Sequence, residues 1–80
     1  MSTQVSPDEL TLTFGANVRA RRLQLKLTQE ELAEKLGTYA SHVSAIESGS
    51  KSVRLPNVAV WAEALETTPA ALLKEPKKSA

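Results

Sequence analysis

Residues 27–49, LTQEELAEKLGTYASHVSAIESG, contain two short stretches of helical periodicity with a single glycine between them, and that glycine constrains the chain more than any other residue. Thr28-Gln29-Glu30-Glu31 has the form of a capping box, so a helix starts there. Leu32, Ala33 and Leu36 share its inner face, and Gly37 ends it, because glycine accepts the left-handed backbone that closes a helix. Past the glycine, a helix from about Tyr39 to Ser48 gathers Val43, Ile46 and Glu47 on one side. Ser41, Ala45 and Ser48 point the other way, flanked by His42 and Ser44.

The rest of the chain is also helical in pattern, since nothing alternates with period 2 for long. Phe14, Val18, Arg22 and Leu25 recur at helical spacing and predict a basic amphipathic helix over residues 13–25. Upstream, Ser6-Pro7-Asp8-Glu9 reads as a further capping box with proline at the first helical position. It leaves open whether residues 6–12 extend that helix or form a separate turn. Gly49 to Ser52 reads as a loop. From about Arg54 a fourth helix carries Leu55, Val58, Trp61, Ala62 and Leu65 on one side, with Pro56 admissible only in its first turn. Thr68-Pro69 opens a last short helix with Leu72 and Leu73. The expected organisation is an N-terminal extension over 1–12, an all-α helical domain over 13–73, and a polar tail over 74–80.

A chain of 80 residues makes one small domain, which buries only roughly 60 to 70% of its unfolded surface. A deep substrate cavity is not expected. With no cysteine and a single histidine, neither a disulfide framework nor a metal centre is expected, and no cofactor or small-molecule ligand is implied. No apolar run suggests a membrane span or signal peptide, so a cytoplasmic protein is the default expectation. The formal charge of +1 does not by itself announce a nucleic-acid binder. Its distribution says more, because Arg19, Arg21, Arg22 and Lys26 precede Glu30, Glu31 and Glu34 as a separate basic block. Ser41, His42, Ser44 and Glu47 include the side chains of a hydrolytic triad, but neighbours on one short helix point in different directions, and an enzyme is not expected.

Two short helices meeting at a glycine turn inside a bundle are the sequence form of a helix-turn-helix. Gln29, Leu32, Ala33, Leu36, Gly37, Val43, Ile46, Glu47 and Gly49 resemble, in order and spacing, the pattern of the lambda-repressor-like (xenobiotic-response-element-type) helix-turn-helix family. The similarity runs from about Phe14 to Leu73. In extent the chain is similar to small phage repressors and to the controller proteins of restriction-modification systems. The resemblance implies a five-helix bundle that binds double-stranded DNA, usually as a homodimer, with the helix after the glycine in the major groove. Three positions depart from the family pattern. Tyr39 stands where a serine-like cap is common, Ala40 where a base-reading glutamine is common, and Thr38 where a bulky apolar residue is usual. The fold is unaffected, but the family's base contacts do not transfer directly.

Arg22 and Glu47 each place a charge in an apolar stripe, and an isolated buried charge is too costly to keep, so the two are expected to pair. Family members resembling this chain join these positions by an ion pair. The plainer reading is two side chains that snorkel to water separately. Ala40, Ser41, His42, Ser44 and Ala45 are the candidate base-reading set, through hydroxyl or imidazole hydrogen bonds and alanine contacts with thymine methyls. Gln29, Ser48, Lys51, Arg54 and Arg22 are the candidate phosphate contacts, Gln29 with help from the donors at its helix N-terminus. Each has a competing reading as a solvated or helix-favouring surface residue. Trp61 reads as core. The rival to DNA binding is a protein-binding module, such as an antitoxin or adaptor on the same bundle.

Overall fold

The structure, a computed structural model, describes residues 7–75. They form α1 (Pro7–Gln24), α2 (Gln29–Leu36), α3 (Ala40–Ser48), α4 (Leu55–Ala64) and α5 (Pro69–Leu73), with no strand among the described residues. α1 packs on α3 and α5, α2 on α3 and α4, and α4 on α5. The five-helix, all-α bundle expected from the sequence is therefore the fold. The question left open upstream is answered by α1, which runs unbroken from Pro7. The capping residue expected there, Ser6, lies outside the described residues, as do the first six residues and 76–80 of the tail.

Local chemistry accounts for several of the boundaries. Thr28 Oγ1 accepts from the Glu31 amide at 3.0 Å while the Glu31 carboxylate accepts from the Thr28 amide at 2.8 Å, the reciprocal capping box that opens α2. Gly37 closes α2 at φ 72°, and the amides of Gly37 and Thr38 return to the carbonyls of Glu34 and Ala33. Pro56 sits in the first turn of α4, and Thr68 caps α5 through a bond from the Ala71 amide. Lys26 leaves α1 in the left-handed region at φ 59°, a conformation that a non-glycine side chain adopts only at some cost.

Phe14, Val18, Leu32, Ala33, Val43, Ile46, Val58, Trp61, Ala62, Leu65 and Leu72 form one buried core, with Phe14 edge-on to Trp61 at 6.0 Å between ring centres. Leu25, Leu36 and Leu73 pack partly buried against it. Leu55 departs from expectation: it is 78% exposed. As the first residue of α4 it overhangs the end of the core, beside an apolar hollow shared with Leu10, Phe14 and Leu73.

The close approach of α1 to α3 depends on Gly15. A β-carbon there would collide with the backbone carbonyl oxygens of Ile46 and Glu47. Helix propensity alone makes a mid-helix glycine about 1 kcal/mol worse than alanine, so Gly15→Ala would stabilise an isolated α1. In this bundle the sign reverses. Gly15→Ala is expected to lower stability in denaturant unfolding by at least about 1 to 3 kcal/mol, the usual penalty of overpacking a filled contact.

Candidate nucleic-acid interface

α3 is held from beneath by two side chains that are fully buried, Val43 and Ile46. Helical geometry then leaves Ser41, Ser44 and Ser48 exposed and Ala40, His42 and Ala45 half-buried. The sequence-predicted reading set is spread over roughly half the circumference of α3, with its serines as the exposed part. His42 is set apart within it, because its ring lies against Trp61 at 6.0 Å with the planes tilted by 56°. Part of its surface is given to α4.

The orientation of that face is fixed by one carboxylate. Arg22 Nε donates to Glu47 Oε2 at 2.6 Å and Nη2 donates to Oε1 at 3.1 Å, a bidentate ion pair between α1 and α3. The two side chains are 10% and 5% exposed. Gln29 Nε2, from the first turn of α2, donates to the same Oε1 at 3.1 Å, and Arg22 Nη1 donates to the Leu27 carbonyl at 2.8 Å. Three helices thus meet at Glu47, with every guanidinium nitrogen of Arg22 engaged inside the protein. The expected ion pair is present, and Arg22 acts first as a positioning residue. Gln29 also turns one amide hydrogen inward, and its place at the start of α2 leaves it half-buried at the edge of the same surface.

The remaining expected phosphate contacts follow α3. Lys51 and Arg54 are exposed in the segment joining α3 to α4. Ser48 and Ser50 lie within hydrogen-bond distance of each other and of the Ala45 carbonyl, at 3.1 to 3.2 Å. Two hydroxyl hydrogens serve those three oxygen contacts, so this pair closes the C-terminal turn of α3 before it meets any ligand.

Two residues of α1 to which the sequence assigned no structural contact complete the frame. Asn17 Nδ2 donates to the carbonyls of Leu72 and Lys74, both at 2.8 Å, where α5 ends. Arg21 Nε and Nη2 donate to the carbonyls of Leu65 and Glu66, both at 2.9 Å, where α4 ends. These are the orphan carbonyls of helix C-termini, and cationic or amide donors satisfy them. The available signal was the spacing of Asn17 and Arg21, four apart on the edge of the Phe14–Val18–Arg22 stripe. The basic block of α1 and the turn after it accordingly divides, with Arg21 and Arg22 turned to internal work and Arg19 and Lys26 exposed.

Among the described residues, no group is placed to hold a metal ion, and no helix is long and apolar enough to cross a membrane. A family model described as helix-turn-helix (HTH_3) matches residues 18–72, which take in α2, α3 and the glycine turn between them. The chain belongs to the lambda-repressor-like helix-turn-helix family. Members of this family bind double-stranded DNA, and the chain is a helix-turn-helix DNA-binding transcriptional regulator rather than an enzyme. Control protein C.BamHI from Bacillus amyloliquefaciens is 34% identical to it over 67 residues, 82% of this chain and 83% of that protein. Among solved structures, the restriction-modification controller protein C.AhdI from Aeromonas hydrophila is 35% identical with a TM-score of 0.72, over 78% of this chain and 94% of that one. The hypothetical transcription factor NHTF from Neisseria is 28% identical with a TM-score of 0.79, over 95% and 88% of the two chains.

A double-mutant cycle measures the ion pair. Arg22→Met or Glu47→Met alone is expected to cost roughly 3 kcal/mol or more in thermal unfolding, because each leaves a buried charge unpaired. The double replacement is expected to cost clearly less than the sum, and additive values would show that the two side chains do not interact.

Proposed function

We propose that this regulator acts as a homodimer on a two-fold symmetric operator, in the cytoplasm, in the manner of a controller or repressor. The observation that carries the reading is the small-residue face of α3, whose inner side is tied by the single Glu47 carboxylate to α1 and α2. The exposed part of that face is a set of short serine side chains, a surface that lets a helix approach a groove closely. Resemblance to two control proteins, C.BamHI and C.AhdI, supports the controller type.

In this reading α3 enters the major groove. Ser41 and Ser44 hydrogen-bond to base edges, and Ala40 and Ala45 sit close to thymine methyls. His42 reaches the groove only from the flank, with one side of its ring on Trp61. None of these side chains has the forked form that reads guanine or adenine bidentately, so few bases are read directly. Lys51, Arg54 and Gln29 contact phosphate and supply most of the affinity, with Arg22 acting mainly through Glu47 and the Ser48 hydroxyl hydrogen spent on the turn it closes. One such module is too weak alone, which is the reason for a dimer. Half-sites then lie about one helical turn, ~10 bp, or a multiple of it apart. Leu55 and Val60 remain exposed on α4, at 78% and 49%, and supply apolar surface for the contact.

Two measurements test this. Lys51→Ala is expected to weaken specific and non-specific binding about equally and to make the log-log salt dependence shallower by ~1, while Ser41→Ala and Ala45→Gln change which bases are preferred. Unchanged preferences across a panel of single-base operator variants would exclude α3 as the reading helix and favour a protein partner for this face. In sedimentation the wild-type chain is expected to be dimeric at tens of micromolar or on DNA, and Val60→Asp to shift it towards monomer. A wild-type monomer under both conditions would contradict the dimer.

A further inference from the structure

The largest side chain left in solvent beside the reading face is that of Tyr39, which is 78% exposed. It is the N-cap residue of α3, with φ −117° and ψ 154°, and its side chain makes no capping bond. Its hydroxyl has no hydrogen-bond partner among the described residues. The fold gains little from a tyrosine there. Serine, threonine, aspartate or asparagine would cap α3, and a smaller residue would expose less ring to water. A position that sacrifices a cap and leaves an aromatic ring exposed is one that serves a ligand.

The ligand follows from where the ring is. Tyr39 directly precedes Ala40 and Ser41, at the N-terminal end of the recognition helix, whose residues meet base edges in helix-turn-helix complexes. It lines an open hollow together with Glu30, Glu31 and Glu34. Those carboxylates line the hollow with the ring and oppose a phosphate there as the partner of the hydroxyl, since repulsion between like charges is strongest at contact distance. The face of the ring, uncharged and needing no hydrogen-bond partner, is the part left to meet the groove. The apolar group that the major groove projects is the 5-methyl of thymine. Resting on the DNA-binding reading above, we propose that Tyr39 is a specificity-determining residue whose ring packs against a thymine methyl at the edge of each half-site. The ring is rigid, with only two side-chain torsions, so holding it there costs little conformational entropy.

The test starts from an operator selected out of a random DNA pool with the wild-type protein, in which thymines are replaced by uracil in symmetric pairs. Uracil removes the methyl and nothing else. For the wild type, one pair is expected to weaken binding about 15-fold, about fourfold for each buried methyl. Tyr39→Ala is expected to lose about as much on the intact operator and to show no further loss on that uracil operator. Tyr39→Phe is expected to keep both the affinity and the methyl sensitivity. The Tyr39 ring is not part of the core, so the thermal midpoints of both variants should match the wild type. The proposal is overturned if Tyr39→Ala is as sensitive to uracil as the wild type, if Tyr39→Phe binds as weakly as Tyr39→Ala, or if neither variant changes affinity. If the wild-type protein retains no DNA from the pool, the DNA-binding reading itself falls and the proposal with it.

Discussion

A single buried carboxylate joins three of the five helices described. Glu47 sits on the inner side of α3 and accepts from Arg22 on α1 and Gln29 on α2. Burying two charges is costly, and apolar residues of similar size often stabilise a core as well or better. What the pair adds to the packing of Val43 and Ile46 is direction, because two parallel hydrogen bonds constrain the turn and height of a nine-residue helix more narrowly than an apolar contact alone. The exposed side chains of that helix, Ser41, Ser44 and Ser48, are short, so the proposed DNA contact would be sensitive to small errors in that orientation. Short side chains cannot reach across a gap.

α1 is the element that imposes this order on the others. Along one edge it gives Asn17 to the end of α5, Arg21 to the end of α4 and Arg22 to Glu47 of α3, while Gly15 lets the backbone of α3 approach closely. These contacts spread the helix ends of a small bundle around one scaffold. Two of the four cations in the basic block, Arg21 and Arg22, are engaged internally in this way.

The parts of this design legible in the sequence were those that break a periodic pattern. Arg22 and Glu47 stood out as charges inside apolar stripes, and Gly37 as a stop between two helical runs followed by a left-handed turn. The Thr28 and Thr68 caps followed from side chains that compete for helix N-terminal amides. What stayed hidden depends on tertiary neighbours. Nothing local distinguishes Gly15 from a weak point in a helix until the carbonyls of Ile46 and Glu47 are seen beside it. Asn17 and Arg21 look like solvated polar residues until the ends of α5 and α4 arrive, and Lys26 gives no sign of its left-handed backbone. Leu55 had the right spacing for the core but sits one turn beyond it, and His42 had the right spacing for the groove but leans on Trp61.

The central claim is that the Glu47 cluster, rather than core packing alone, holds α3 in place. Native-state amide hydrogen exchange of Glu47→Gln against the wild type tests it most directly, since exchange reports the opening of each helix separately. The account predicts that protection falls further in α3 than in α4 and α5, whose ends stay tied to Arg21 and Asn17. A loss of protection equal in all the helices, or no loss in α3, would contradict it.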